Sequence, residues 1–297
     1  MGFLKSLFGV TDDNAGNTTA QNQTNDKNFD ILKYDGMRAL KQGNAEYAVK
    51  CFESALEIKD DAEAHEQLAL ALYHSGNYVA SMEQYAKLVE LEPNNAALIM
   101  RMAEMAYLAD KYDDVIAACV RVLEIEPDNS NACLLYAHAY IGQGCDIQAI
   151  AMLTKAVSLN GENIQAYLQR GALLFKMGDR DGAAADAGKV VETEPDNEDA
   201  HLLLARVTEA KGQHEEAIRM YGEVIKLNPF NVDALKERGA IKYAIGDAAG
   251  AEEDMRQVLE IAPDTLDGTT GDFTAEGREG IQCKVEQAYR DINPYGF

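Results

Sequence analysis

The chain has 297 residues, of which 50 are acidic and 27 basic, giving a formal net charge of −23. Such a surface repels phosphate backbones and anionic headgroups, which argues against a nucleic-acid partner and against simple electrostatic binding to a membrane. Apolar residues make up 47% of the chain, but there is no Trp and there are only 6 Pro. This composition favours a helical protein whose core is built largely from small apolar side chains.

The first 28 residues divide into an apolar peptide and a polar segment. Phe3, Leu4, Leu7 and Phe8 would share one face of a helix, but the run is too short for a signal peptide or a membrane span, so we expect a cytoplasmic protein. Residues 11–28 are rich in Asn, Thr, Gln and Asp, which predicts a disordered linker. On such a tether the peptide could bind the chain's own groove, link copies by self-association, reach a membrane, or bind nothing. A loose myristoylation pattern at Gly2 is a further alternative.

A period of 34 residues dominates the middle of the chain. Prolines recur in one register at Pro93, Pro127, Pro195, Pro229 and Pro263, and Gly161 occupies the skipped position. Turn-forming residues recur 17 positions earlier, at Gly76, Asp110, Gly144, Gly178, Gly212 and Gly246. A turn in mid-repeat and a helix-stopping residue at its end predict two helices in each repeat.

Small residues also keep this period and predict closely packed helices. In the first helix of each repeat they are Ala69, Ala103, Ala137, Gly171, Ala205 and Gly239. In the second helix they are Ala149, Ala183, Ala217 and Ala251. With the mid-repeat glycines and the final prolines, these residues resemble the tetratricopeptide repeat family. The resemblance implies an all-α fold, a right-handed α-α superhelix (solenoid) of about seven hairpins over residues 29–265.

Two places depart from the regular pattern. The third repeat has Val115 and Cys119 where the family usually has Ala and an aromatic residue, which predicts a less regular hairpin. Residues 266–297 follow the array as a Gly/Thr/Asp loop and then a segment with apolar residues at helical spacing, from Ile281 to Ile292. We expect this segment to be a C-terminal capping helix, since the last repeat of a stack leaves an apolar face open.

The resemblance implies that the first helices line a concave groove that holds a peptide or a partner protein. Carried over position by position, the predicted groove residues are Tyr73, Met100, Glu104, Tyr107, Leu134, His138, Ile141, Leu168, Phe175, Leu202 and Arg206. Most of them are apolar or aromatic, so we expect a partner with an apolar or aromatic segment. Burial of the same residues between hairpins is the alternative interpretation.

Other functions lack their motifs in the sequence. It contains no phosphate-binding loop, dinucleotide fingerprint, nucleophile elbow or zinc-protease motif, so we predict a non-catalytic scaffold or adaptor without cofactor or metal. The cysteines are scattered and odd in number, which predicts free thiols: Cys51, Cys119, Cys133, Cys145 and Cys283. Lys33 and Arg101 match a carboxylate-binding clamp of some relatives, but Met37, Gln67 and Ala97 do not. An envelope or secretion-associated assembly, with this chain recruited to a membrane by its N-terminal peptide, remains the alternative function.

Overall fold

The computed structural model describes residues 13–262, and side-chain environments from residue 24. This part of the chain forms fourteen α-helices and no strand. The helices are α1 (Asp13–Lys41), α2 (Ala45–Ile58), α3 (Ala62–His74), α4 (Tyr78–Leu91), α5 (Ala96–Leu108), α6 (Tyr112–Ile125), α7 (Ser130–Gly142), α8 (Asp146–Leu159), α9 (Ile164–Lys176), α10 (Arg180–Thr193), α11 (Glu198–Ala210), α12 (His214–Leu227), α13 (Val232–Ala244) and α14 (Ala248–Ile261). The prediction of an all-α fold built from helical hairpins is confirmed.

The ends of the helices follow from the residues that recur in the sequence. At most helix starts an Asn or Asp side chain accepts a hydrogen bond from the backbone of the first turn, as Asn95 does from Leu98 N at 3.2 Å. This bond satisfies an amide that the helix itself leaves without a partner. Between the two helices of a hairpin the backbone enters the left-handed region, with φ of 78° at Gly76 and 55° at Asp110. Glycine meets this requirement without a steric penalty, and Asp is one of the few other residues that tolerates it.

The helices form two compact units, with the division between Met152 and Leu153, inside α8. In the first unit each helix from α1 to α7 packs against the next along the chain, and α9 to α14 do the same in the second. The recurring small residues are buried in both, as Ala103 and Ala205 illustrate at 0% exposure. Any larger side chain at these positions would separate the two helices of a hairpin.

The third hairpin, formed by α5 and α6, has a packed core despite its unusual residues. Val115 and Cys119 are both fully buried and pack in one cluster with Ala103, Ala118 and Val122. The two side chains together therefore replace the Ala and aromatic residue that the family usually places there. The irregularity that the sequence predicted for this hairpin is not found in its core.

The structure differs from the sequence prediction at residues 13–28, which were expected to be a disordered linker and are helical. They form the first half of α1, whose second half is anchored by the buried side chains of Phe29 and Ala39. Once such a segment is packed, each residue added to its end gains a helical hydrogen bond without a new nucleation step. Residues 1–12 and the expected capping helix within 266–297 lie outside the described residues.

None of the helices between residues 13 and 262 is both long enough and apolar enough to cross a membrane. Over the same range Cys51, Cys119, Cys133 and Cys145 are free thiols, as the sequence predicted, while Cys283 lies outside it.

Candidate functional site

Two adjoining pockets lie on the first helices of the first unit. The first has a volume of about 510 Å³ and is formed by α3, α5 and one residue of α4. We call it the tyrosine pocket, and its lining residues are Glu66, Gln67, Leu70, Tyr73, Tyr85, Arg101, Glu104, Met105, Tyr107 and Leu108. Its walls form because Glu66, Leu70 and Tyr73 follow the i, i+4, i+7 spacing that places them on one face of α3.

The second pocket, about 410 Å³, lies between α5 and α7. We call it the leucine pocket, and it is lined by Ala97, Met100, Arg101, Glu104, Asn129, Asn131, Leu134, Leu135 and His138. Arg101 and Glu104 line both pockets, so the two form one continuous surface across three first helices. A chain segment crossing that surface would contact both pockets in succession.

Aromatic rings connect the pockets. The ring of Tyr107, in the tyrosine pocket, lies 5.7 Å from that of His138, in the leucine pocket, and 6.1 Å from Tyr112. The ring of Tyr73, which lines the tyrosine pocket from α3, lies 5.2 Å from that of His74 and 6.0 Å from that of Tyr78. These separations are typical of aromatic pairs, which restrain ring orientations and so pre-form the pocket walls.

The charged groups of the pockets are one guanidinium and two carboxylates. Arg101 Nη1 donates to Glu104 Oε2 at 2.9 Å, and this bond raises the pKa of Arg101 above its ordinary value. Tyr85 is 8% exposed, and burial raises the pKa of its phenol, an effect that the nearby Arg101 opposes and the carboxylates of Glu66 and Glu104 reinforce. The Tyr85 hydroxyl is therefore neutral at physiological pH and lies among the charges of the pocket.

Six of the predicted groove residues line these pockets. Tyr73, Glu104 and Tyr107 line the tyrosine pocket, and Glu104 also lines the leucine pocket. The others line the leucine pocket and are Met100, Leu134 and His138. The seventh predicted residue of this unit, Ile141, is half-buried and lines neither pocket.

The predicted residues of the second unit have different environments. Leu168 is half-buried, and Phe175 packs against a cluster formed between α10 and α11. Leu202 was expected on the groove surface but is only 8% exposed, because it packs into the core with Ala205 and Tyr221. We correct its assignment to a core residue.

Arg206 is held by carboxylates of its own unit. Its guanidinium donates twice to Glu237, with Nε–Oε2 at 2.8 Å and Nη2–Oε1 at 2.7 Å, and it lies 3.4 Å from Asp233 Oδ2. The bonds to Glu237 raise the pKa of Arg206. A ligand anion would have to compete with this bidentate pair, so Arg206 is better described as joining α11 to α13.

The sequence prediction missed several residues of the pockets. Tyr85 belongs to a second helix, where an aromatic residue is normally read as core, and the sequence carries no sign that it reaches the tyrosine pocket. Leu108 and Leu135 were not among the predicted groove residues, although both belong to first helices that line the pockets. Their spacing along the first helices was the available signal.

The two residues that match a carboxylate clamp are engaged elsewhere. Lys33 Nζ lies 2.5 Å from Glu63 Oε2, and Arg101 is paired with Glu104. Binding a carboxylate would therefore require breaking two existing ion pairs. Residues 13–262 also contain no group of three or more His, Cys, Asp or Glu side chains arranged to hold a metal ion.

Comparison with protein families identifies the repeats. Residues 36–97 and residues 174–239 each match a family model described as a tetratricopeptide repeat. This chain is a tetratricopeptide repeat protein. Curated protein sequences include no significant match to it.

Solved structures of other proteins share the fold. YrrB, described as having an unusual peptide-binding site, is 19% identical, with a TM-score of 0.54 over 61% of this chain and 94% of its own. PilW, a type IV pilus biogenesis factor, is 20% identical, with a TM-score of 0.57 over 74% and 98%. A tetratricopeptide repeat protein from Parabacteroides merdae is 13% identical, with a TM-score of 0.60 over 88% and 99%. At these identities the likeness concerns the fold alone.

Proposed function

We propose that this tetratricopeptide repeat protein is a non-catalytic scaffold or adaptor that holds a protein or peptide partner in the tyrosine and leucine pockets. The observation that carries the proposal is the apolar surface exposed on the first helices. Leu70, Tyr73 and Leu108 are 38%, 40% and 41% exposed and line the same pocket. A contiguous apolar surface on a protein with a net charge of −23 is typical of a binding site.

The chemistry of the lining residues favours binding over catalysis. A general acid or base works best when its pKa lies near the working pH. The lining groups with shifted pKa are Tyr85 and Arg101, and both shifts are upward, away from that range. YrrB supports the proposal by analogy, since it combines this fold with a peptide-binding site.

The proposal is tested by capturing partners with the full chain as bait and identifying them by mass spectrometry. The double variant Leu70→Glu/Leu134→Glu places one carboxylate in each pocket and should abolish capture of the specific partners. Leu91→Glu is the matched control, because Leu91 is 67% exposed on α4 and lines neither pocket. Equal capture by wild type, control and double variant would reject the pockets as the binding site. Unchanged circular dichroism would establish that the variants remain folded.

A second candidate function is a subunit of an envelope or secretion-associated assembly, recruited to a membrane by the N-terminal peptide. The sequence supports it through Phe3, Leu4, Leu7 and Phe8, and PilW is a pilus biogenesis factor with the same fold. Flotation with zwitterionic liposomes should then recover the full chain but not a chain lacking residues 1–10. Equal recovery of the two chains would reject this candidate.

A further inference from the structure

The tyrosine pocket holds a polar group for which the described part of the chain supplies no hydrogen-bond partner. Tyr85 is more than nine-tenths buried, yet its hydroxyl makes no hydrogen bond to another residue between 24 and 262. The ring is buried, but the hydroxyl oxygen itself is not fully buried and remains accessible to solvent at the pocket. The Tyr85 side chain lines the pocket, so a ligand group entering there can supply the missing hydrogen bond.

The carboxylates of the pocket indicate the charge of that ligand group. Arg101 is paired with Glu104, whereas Glu66 forms no hydrogen bond or ion pair within the described residues. The pocket therefore has one carboxylate more than it has cations. The negative charge of the whole chain adds to this field and would steer cationic partners towards it.

The aromatic side chains of the pocket also favour a positively charged ligand group. Tyr73 and Tyr107 both line the pocket, one from α3 and one from α5. The face of an aromatic ring carries partial negative charge and attracts an ammonium or guanidinium group. A phenol hydroxyl such as that of Tyr85 also accepts a hydrogen bond from either group.

We infer that the tyrosine pocket takes a lysine or arginine side chain of the partner while the leucine pocket takes an apolar side chain of the same segment. This inference rests on the proposed function and adds the chemistry of the partner. Packed helices lie about 8–10 Å apart, and an extended chain advances about 3.3 Å per residue. A segment crossing α5 from one pocket to the other therefore carries its basic and apolar residues about three positions apart.

The inference is tested with fluorescein-labelled peptides of twelve residues in a Gly/Ser background, titrated with the full chain and followed by fluorescence anisotropy. One peptide has Lys at position 5 and Leu at position 8, and a second has the reverse order. Matched peptides replace Lys by Gln. We expect one of the two Lys peptides to bind roughly three- to tenfold more tightly than its Gln counterpart. Added salt should reduce that difference, because part of it is electrostatic.

Protein variants distinguish the contribution of the pocket to binding from that of the overall charge of the chain. Glu66→Gln and Tyr85→Phe should each weaken the Lys peptide by roughly threefold or more and leave the Gln peptide unchanged. Glu90→Gln, an exposed carboxylate on α4, and Tyr34→Phe, an exposed tyrosine on α1, are the matched controls. Tyr85→Phe removes only an unpaired hydroxyl, so it should not destabilise the fold.

Each outcome decides the inference. Equal binding of the Lys and Gln peptides, or an equal loss with Glu66→Gln and Glu90→Gln, would overturn it and leave the proposed function standing. Failure of all four peptides to bind would also overturn it, since the spacing derived above would then be wrong. The proposed function fails by a different result, which is partner capture that is insensitive to Leu70→Glu/Leu134→Glu.

Discussion

Two buried ion pairs in the second unit make a quantitative prediction about stability. Asp254 has a side-chain exposure of 1% and accepts hydrogen bonds from Arg238 Nε at 3.0 Å and Nη2 at 2.6 Å, with Lys242 Nζ 2.9 Å away. Two repeats earlier, Asp186 accepts from Arg170 Nε at 2.8 Å and Nη2 at 2.6 Å. Each pair joins the two helices of one hairpin, α13 to α14 and α9 to α10.

Removing one partner of such a pair leaves a charge without its counterion in a poorly hydrated site. Asp254→Ala leaves both Arg238 and Lys242, whose side chains are only 18% and 16% exposed. The expected loss is about 3–5 kcal/mol of unfolding free energy. Asp186→Ala leaves a single cation, Arg170, without its carboxylate. The loss of unfolding free energy should therefore be no larger than that caused by Asp254→Ala.

Replacing both partners should have a much smaller effect. In the repeat between the two pairs, Leu204 and Met220 occupy the register positions of the arginine and the aspartate. The double variant Arg170→Leu/Asp186→Met copies this apolar solution into the earlier hairpin. Since apolar residues of similar volume often replace a buried ion pair without loss, we expect its stability to stay within about 1 kcal/mol of wild type, or to rise.

Urea denaturation followed by circular dichroism measures these differences in unfolding free energy. An unchanged slope of unfolding free energy against urea concentration would indicate that the variants expose the same amount of surface on unfolding as wild type. Asp128→Ala, at an exposed turn position, is the control and should stay within about 0.5 kcal/mol of wild type. If Asp254→Ala behaved like this control, or if the double variant were as damaged as Asp186→Ala, the pairs would not have the role assigned to them.

Three further predictions concern single residues. Gly178→Ala should lower the unfolding free energy by about 1–2 kcal/mol, because φ is 87° at this position. Gly188→Ala, inside α10 with open space around it, should raise the unfolding free energy by about 0.5–1 kcal/mol. Urea denaturation measures both changes. Glu209 accepts a hydrogen bond from Tyr221 Oη at 2.7 Å, and burial raises the pKa of its carboxyl group. The charged form of Glu209 therefore destabilises the fold, and stability is lost as the pH rises through the folded-state pKa. Glu209→Gln should therefore raise the melting temperature more at pH 7 than at pH 4, and an equal change at both would contradict this. Burial raises the pKa of the Cys119 thiol to about 12, so Ellman's reagent at pH 8 should modify it only after denaturation.

The sequence was most informative about the ends and the packing faces of the helices. Each mid-repeat turn residue that it singled out, from Gly76 to Gly246, has a positive φ, because the backbone must reverse there within a few residues. The small residues such as Ala103 are buried because two helices approach closely at them. These features are local and repeat seven times, so a single sequence reveals them.

The pockets were harder to predict because they depend on several helices at once. Leu134 and Leu202 occupy the same register position, yet the first lines the leucine pocket and the second is buried beside Tyr221. Tyr85 reaches the tyrosine pocket from a second helix. The buried ion pairs did leave a trace, since Arg-Gly-Ala recurs at residues 170–172 and 238–240. A Cβ at Gly171 would lie 2.9 Å from Leu203 Cδ2 and 3.2 Å from Asp186 Cβ, so glycine leaves room for the pair there.

Residues 13–28 illustrate a different limit. Their composition, poor in apolar residues, resembles that of disordered segments, yet they continue a helix whose anchor lies further along the chain. The composition of residues 13–28 alone does not reveal this anchor, because the anchoring residues lie outside the segment.

Hydrogen exchange of the full chain, alone and with a partner captured by it, tests the central claim most directly. The account predicts slower exchange in the segments that line the pockets, residues 66–73 of α3, 100–108 of α5 and 131–138 of α7, with α12 and α14 unchanged. The same map measured with Leu70→Glu/Leu134→Glu should lose this protection. Protection confined to the second helices or to the second unit would contradict the assignment of the tyrosine and leucine pockets as the binding site.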